Sequence, residues 1–514
     1  MSKLIRTGAQ YRESISDQRA VYANGERVSD VGRHSCFAAM VDLRARFYDL
    51  QHSPSSKNIL TFAKPGAELK KRCPIGSKLP YSQSDWWAKR RATDHILSKL
   101  HGVVSRLGDE TLGEMWSLLD AAEVLSDIAP QFSSNINSHI DRALTQDLFQ
   151  VSAATDPKGN RAKLPRDQDP DMLLHVVRET DAGVIVRGAK FCTGAAYANR
   201  VFVKPSLSNW GDEEHSSYAV GFICDLNAPN LKIICRAGQD EPINPDDYPL
   251  ASRFDEIDAL LVFDDVLIEW DDVLFYRSTK AAKFMHGAMH RYTAFAFLQR
   301  MLRFADLMIG AAFLNVRQTG LEGRQGVQEK LAQLACYRES INAHLTACIA
   351  LAERSPAGLM MPNQSLLYTG RVMASGQLSA MMQIARELCS GQICLTPDVA
   401  SFKGEETGPW LEKYYSLDEG CSAEDRRKLM AFARDLLNSD YAGHWQSFYS
   451  FGQSPSFAQL AAVYRNFGWN GPLDLVADMA NLPGAADRST QIEDSAVSNW
   501  FAHDIASVTT KTAV

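Results

Sequence analysis

The runs GVIVR (Gly183–Arg187), RVFVK (Arg200–Lys204), YAVGFICD (Tyr218–Asp225), LKIIC (Leu231–Cys235) and ALLVF (Ala259–Phe263) decide the fold of this 514-residue chain. Each is a short apolar stretch, rich in β-branched and aromatic residues and bounded by Gly, Pro, Asn or Asp, which is the pattern of a strand. No helical segment of βαβ length separates them, so a doubly wound parallel sheet is disfavoured. One mostly antiparallel sheet or barrel is expected between about Asp147 and Arg277.

The texture changes on either side. Residues up to about Leu148 read mainly as helix. Trp86–Leu100 and Thr111–Leu125 carry apolar residues at helical spacing, and Asp109–Glu110 put negative charge where a helix start favours it. From Met289 onward the chain is helical again. Leu331, Leu334, Ile341, Leu345 and Ile349 form a stripe along Val327–Leu351, and Leu378–Leu388 looks similar. The expected class is α+β: a helical domain over 1–146, a central β-domain over 147–278, a long-helix bundle over 279–484 and a C-terminal arm over 485–514. Long bundles often pair between subunits, so a homo-oligomer, a tetramer or dimer of dimers, is expected; core packing alone would leave the same stripes.

Composition narrows the partners. Hydrophobic residues make up 45% and charged residues 22%, ordinary values for a globular chain, and the net charge is −7. Acidic and basic residues are interspersed, so the basic face that nucleic acid requires is missing. The opening MSKLIRTGAQYRES has no apolar core of a signal segment, and the apolar stretch Ala294–Leu314 is broken by Arg300, Arg303 and Asp306. Neither secretion nor a membrane span is expected. Of ten cysteines, most sit in apolar runs (Cys192, Cys224, Cys235, Cys336, Cys348), which reads as reduced, buried thiols of a cytoplasmic protein.

Several motifs are missing. There is no Gly-x-Gly-x-x-Gly after a strand, no Walker A loop, no His-Glu-x-x-His helix and no Gly-x-Ser-x-Gly elbow. Cys389 and Cys394, in CSGQIC, lack a second Cys/His pair at zinc spacing, so no metal site is expected. A redox reaction would therefore need a cofactor that arrives already reduced.

Five longer stretches carry a family resemblance: RTGAQYRESISDQRAVYANGERVSDVGRH (Arg6–His34), FYDLQHSP (Phe47–Pro54), ETDAGVIVRGAK (Glu179–Lys190), YPLASRFDEIDALLVFDDVLIEWDDV (Tyr248–Val273) and SGQI (Ser390–Ile393). In this order they resemble the 4-hydroxyphenylacetate 3-hydroxylase family, which includes the chlorophenol monooxygenases, over nearly the whole chain. The resemblance implies an acyl-CoA dehydrogenase-like fold and a flavin ring held between β-domain and bundle. It also implies the oxygenase half of a two-component system, in which a separate NAD(P)H:flavin reductase supplies reduced FAD (FADH2), with FMN as the alternative. Dioxygen would add at flavin C4a, and the distal oxygen of that hydroperoxide would pass to a phenol-like or hydroxylated heteroaromatic ring. Such chemistry needs a dry pocket, a cation or donor beside the oxygen, and a base or donor for the phenol.

The resemblance also assigns residues. Where the family has Arg-Thr-Pro-Asp-Tyr, this chain reads Arg106-Leu-Gly-Asp-Glu110, so Arg106 is kept as the cation and Glu110 replaces a substrate-contacting Tyr. In LFQVSAATDP, Ser152 stands where many members have a His that meets flavin and substrate; a serine hydrogen-bonds but is no base without an activating partner. The two changes imply a substrate other than 4-hydroxyphenylacetate. Flavin contacts map onto Lys158, Gly159, Asn160 and Arg161, onto Thr193 as a donor to a flavin acceptor, and onto Gly452, Gln453 and Ser454 in FYSFGQSPS. A replacement base is sought in FMHGAMHRY, at His286 or His290, although a register fixed by Arg300 and Asp306 puts the family's histidine near Ala294 or Ala296.

Two other readings stay open at this stage. An acyl-CoA dehydrogenase would share the fold and add only a glutamate base, for which Glu387 is available, though a solvated helix residue would look the same. A flavin-binding scaffold without catalysis would fit the Tyr and His replacements. The related hydroxybutyryl-CoA dehydratases need three cysteines and a histidine for an iron–sulfur cluster, and Trp86–Leu125 contains no cysteine.

Overall fold

The apolar runs fold as the strands they predict, but into two sheets instead of one. The computed structural model describes residues 5–64, 71–104, 106–121, 125, 129–160, 162–163, 167–205, 213–238, 243–279, 281–282, 290–417, 420–451 and 456–480. Short strands β1 (Ala20–Ala23), β2 (Glu26–Arg27), β3 (Thr61–Ala63) and β4 (Arg72–Pro74) precede the central β-region. That region holds β5 (Gln150–Ala153), β6 (His175–Glu179), β7 (Gly183–Thr193), β8 (Arg200–Val203), β9 (Val220–Asp225), β10 (Leu231–Cys235), β11 (Asp258–Glu269) and β12 (Val273–Tyr276).

One sheet has the order β2-β1-β10-β11-β7-β6 and the other β12-β9-β8-β5; β3 and β4 pair separately. All pairs in the two larger sheets are antiparallel except β1 with β10 and β5 with β8. The sheets meet through their apolar faces, where Phe222 of β9 stands edge-on to Phe263 of β11 with ring centroids 5.8 Å apart. Strands β5 and β8 are buried on both faces, polar Gln150, Ser152 and Arg200 included.

The N-terminal region is less purely helical than expected. Asn24 and Gly25, at φ 51° and 86°, form the left-handed turn of the β1–β2 hairpin. An Asn-Gly pair after a short apolar run is a hairpin signal that the helical reading passed over. The region's longer helices are α1 (Gly8–Ile15), α2 (Ala38–Leu50), α3 (Gln83–Leu100), α4 (Asp109–Trp116) and α5 (Pro130–Gln146). Helix α3 starts at a Ser82–Asp85 capping box. Helix α4 stops at Trp116 and tightens into a 3-10 turn over Ser117–Ala121, so the helix expected over Thr111–Leu125 is shorter.

The bundle has the long helices α6 (His290–Gln318), α7 (Gln325–Ala350) and α8 (Gln364–Cys389), then α9 (Ala423–Leu437), α10 (Asp440–Phe451), α11 (Ser456–Asn466) and α12 (Asn470–Ala480). Leu334, Ile341, Leu345 and Ile349 of the expected stripe are buried, with Leu331 packed at the core's margin. Helices lock pairwise through buried polar contacts: Tyr337 donates to the Ala374 carbonyl at 2.7 Å and Asn315 to the Leu388 carbonyl at 2.6 Å. Helix–sheet–helix is thus the observed order, the acyl-CoA dehydrogenase-like arrangement. No helix among the described residues is long and apolar enough to cross a membrane. All ten cysteines are free thiols; Cys336 lies off the buried stripe and is exposed, unlike the burial expected for it. The arm expected over 485–514 lies outside the described residues.

Candidate active site

The site grows from helix α4. Its first turn carries Asp109 and Glu110, and Glu114 follows one turn later. Anions in a first turn face the positive end of the helix dipole. Gly108 caps the helix at φ 96°, a left-handed conformation that side chains rarely adopt, so the turn that presents Arg106 and Glu110 favours glycine. Arg44 clamps the same turn from α2, donating to the carbonyls of Arg106 at 2.7 Å and Leu107 at 2.8 Å. Arg44 also lies 3.5 Å over the Phe149 ring.

Four buried or largely buried cations meet carboxylates on this helix and the adjoining β-region. Arg300 of α6 reaches Asp109 Oδ1 at 3.0 Å and Glu110 Oε2 at 3.4 Å, and donates from Nε to the Val104 carbonyl at 3.1 Å. Arg106 Nη1 lies 3.9 Å from Glu110 Oε1, and its backbone N–H donates to Glu256 Oε1 at 3.1 Å. Lys204, at the end of β8, sits 2.5 Å from Glu114 Oε2, and Lys190 of β7 sits 2.6 Å from Asp156 Oδ1. Burial and the adjacent Asp109 charge push the Glu110 carboxyl well above the usual range, while Arg300 holds Asp109 below it despite burial. Neighbouring carboxylates thus have different protonation, the arrangement that separates acid and base roles.

Ser152 is buried in β5, where its carbonyl accepts from the Cys192 thiol at 3.5 Å. Burial raises that thiol to about 12 against the pull of Arg106 and Lys204, so Cys192 stays protonated at neutral pH. The Ser152 backbone and the Arg106 charge therefore both act on Cys192.

Three buried donors in this cluster have no hydrogen-bond partner among the described residues: Arg106 Nε, Arg300 Nη1 and the Tyr449 hydroxyl. Tyr449 lies in α10 and feels the charges of Arg300, Arg106, Glu256 and Glu110. Its ring stacks on Trp445 at 4.0 Å, and Arg106 lies 5.7 Å over the neighbouring Phe448 ring. Leaving a buried donor unpaired costs about 1–3 kcal/mol. Three together, beside aromatic rings, fit a planar ligand with a polar edge, which is what a flavin ring presents.

The other assignments fare differently. Thr193 is buried at the end of β7, but its hydroxyl proton goes to Asp258, so it has none to donate to a flavin acceptor as expected. Lys158, Gly159 and Asn160 are exposed, with the Asn160 N–H held by Gln168 at 3.0 Å. Arg161, His286, Gly452, Gln453 and Ser454 lie outside the described residues, as does the side chain of His290, which opens α6. Ala294 and Ala296 are buried in that helix. Glu387 is ion-paired with Lys330 at 2.6 Å on a surface where both side chains are over 40% exposed, unsuited to a buried thioester base. Glu114, Lys190, Tyr449 and the paired role of Arg300 were not foreseen. The signal for Glu114 was legible, since it lies four residues from Glu110 on the apolar face of a helix.

A helical–β–helical chain with this cluster at its junction is the oxygenase component of a two-component, FADH2-dependent aromatic monooxygenase. It belongs to the 4-hydroxyphenylacetate 3-hydroxylase family, whose N-terminal model matches residues 7–275 and whose C-terminal model matches 280–481. A (3S)-3-amino-3-(3-chloro-4-hydroxyphenyl)propanoyl carrier-protein monooxygenase of Streptomyces globisporus is 30% identical over 85% of this chain and 82% of its own. The 4-hydroxyphenylacetate 3-monooxygenase oxygenase component of Thermus thermophilus is 28% identical, over 87% and 92%. A crystal structure of such an oxygenase component complexed with FAD superposes with a TM-score of 0.85 at 26% identity, covering 92% of this chain and 98% of that one.

Proposed function

We propose that the Arg106–Glu110–Arg300–Tyr449 cluster is the hydroxylation site, acting on a phenol-like or hydroxylated heteroaromatic ring other than 4-hydroxyphenylacetate. The observation that carries this reading is the set of three unpartnered buried donors gathered around a carboxyl of raised pKa. Bound reduced FAD supplies the two electrons that activate dioxygen. Arg106, Tyr449 and Ser152 hold the polar edge of the flavin. Glu110, on the other side of Arg106, takes the proton of the substrate hydroxyl at its Oε1, so that the ring turns phenolate-like and attacks electrophilic oxygen. Arg300 keeps Asp109 ionised, and the Asp109 charge in turn keeps Glu110 basic enough for that task. Phe448, Tyr449 and Trp445 wall off water.

Lys158, Gly159, Asn160 and Arg161, with Gly452, Gln453 and Ser454, extend the flavin site, and His290 is the reserve base in this reading. A homo-oligomer and a cytoplasmic setting belong to it as well. Helices α11 and α12 support the oligomer, since Leu460, Tyr464, Leu473, Leu475, Val476 and Met479 are each at least half exposed.

The test supplies enzymatically reduced FAD and oxygen with a panel of phenols and measures hydroxylated product against hydrogen peroxide. Coupled product from at least one phenol is expected. Peroxide alone, formed at the rate seen without the protein for every ring tried, would remove the hydroxylase reading and leave a flavin-binding scaffold.

A further inference from the structure

Thr193 and Asp258 face each other on the last rung between β7 and β11. The Thr193 hydroxyl donates to Asp258 Oδ1, and the other carboxylate oxygen, Oδ2, lies 2.7 Å from His444 Nε2 on α10. Behind them Asp255 Oδ1 lies 3.8 Å from His444 Nδ1 and 2.6 Å from Arg236 Nη2. The relay runs from the β-domain into the bundle, and neither His444 nor Asp258 has a part in the chemistry proposed above.

Its direction is fixed by charge. Although burial opposes it, hydrogen bonds from His444 and Thr193 and the positive field of His444 and Arg236 hold Asp258 below the usual carboxylate range. An ionised carboxylate only accepts. Both the imidazole N–H and the threonine O–H must therefore point at Asp258. A hydroxyl has one proton and two lone pairs, so Thr193 is left with lone pairs alone for a ligand.

We propose that the His444–Asp258 pair sets Thr193 as a hydrogen-bond acceptor, and that Thr193 thereby selects reduced over oxidised flavin. This rests on the flavin reading of the site. Two-electron reduction places a proton on a ring nitrogen that is a bare acceptor in the oxidised ring. Thr193 pairs with the reduced form and meets the oxidised form lone pair against lone pair. An oxygenase that receives its flavin reduced and must let it go oxidised gains direction from such a contact. His444 and Asp258 are positioning residues here, since they act through Thr193.

The experiment titrates the full chain with oxidised FAD, and anaerobically with dithionite-reduced FAD, and compares the ratio of the two Kd values. The wild-type protein is expected to bind reduced FAD more tightly. In Asp258→Asn, His444 takes the amide oxygen and the NH2 turns to Thr193, whose proton is then free to point outward. The ratio should fall about tenfold, the value of one hydrogen bond reversed. Thr193→Val should lower it similarly, Thr193→Ser should keep it, and these two stand in if Asp258→Asn folds poorly. Equal binding of both forms by the wild type, or a ratio unmoved by Asp258→Asn and Thr193→Val, overturns the proposal while the flavin reading stands. Binding of neither form overturns both.

Discussion

Lys204 Nζ lies 2.5 Å from Glu114 Oε2, and neither side chain keeps more than 5% of its surface. The pair joins strand β8 to helix α4, and burial lowers the lysine's pKa while Glu114 raises it. Removing one partner strands the other charge in the interior, at about 3–5 kcal/mol, whereas an apolar pair of similar size avoids that desolvation. Glu114→Leu and Lys204→Met should each melt well below the wild type, and the double variant should melt above either single one. A double variant as unstable as the worse single variant would show that the ion pair itself, not the unpaired charge, is what matters.

Arg106→Ala should lower coupled hydroxylation by about tenfold to a hundredfold, the worth of one charge-assisted hydrogen bond in a dry site. Hydrogen peroxide should rise in step, which an oxygen electrode with and without catalase measures. An unchanged ratio of product to peroxide would take Arg106 out of the site.

Glu110 makes a pH prediction with two signs. Its pKa is raised, so the proton is held through the usual carboxylate range and leaves only toward alkaline pH. Hydroxylation should therefore climb with pH along a limb displaced upward from the ordinary carboxylate range, and Glu110→Gln should flatten that limb. For stability the sign is opposite. The folded chain binds a proton that the unfolded chain has already lost, so this contribution is present at low pH and fades as pH rises. The Tm of Glu110→Gln relative to the wild type should thus rise from pH 5 to pH 9, with any deficit at pH 5 shrinking or reversing at the alkaline end.

Lys89 pulls the other way. It is buried, donates to the carbonyls of Ile75 at 2.8 Å and Gly76 at 2.9 Å, and lies 4.5 Å over the Trp116 ring. Burial drives its pKa down from 10.5 to about 7. Between those values the unfolded chain binds a proton the folded chain lacks, so stability gained above the unfolded value is lost as pH falls through the folded one. Lys89→Met should remove that acid-side loss, and Tm measured from pH 6 to 10 should be flatter in the variant.

The fold was largely legible because its two kinds of periodicity are clean. The period-two and fully apolar runs marked β7 to β11, and the stripe from Leu334 to Ile349 marked α7. What escaped was non-local. Nothing in the short strand AVYA shows that it will pair with LKIIC, and one sheet cannot be told from two by counting strands. At the site, Arg106 and Glu110 were named through the family resemblance, not through any spacing in the chain itself. Thr193 was found too, but its polarity was misjudged, because the direction of a hydroxyl depends on Asp258 and His444, 65 and 251 residues further on. Lys190 hides among apolar neighbours, where a buried charge is revealed only by the partner that neutralises it, here Asp156.

The pairing of Ala20–Tyr22 with Lys232–Ile234 fixes an order of events during synthesis. The first strand leaves the ribosome some 212 residues before its parallel neighbour exists, since 232 − 20 = 212. At about 5–20 residues per second it waits for roughly 10–40 s. Over that interval the edge of β1 is open to whatever the crowded nascent chain meets. Slowing translation between the two segments should lower the soluble yield, and holdase chaperones should be retained on nascent chains until Cys235 has emerged.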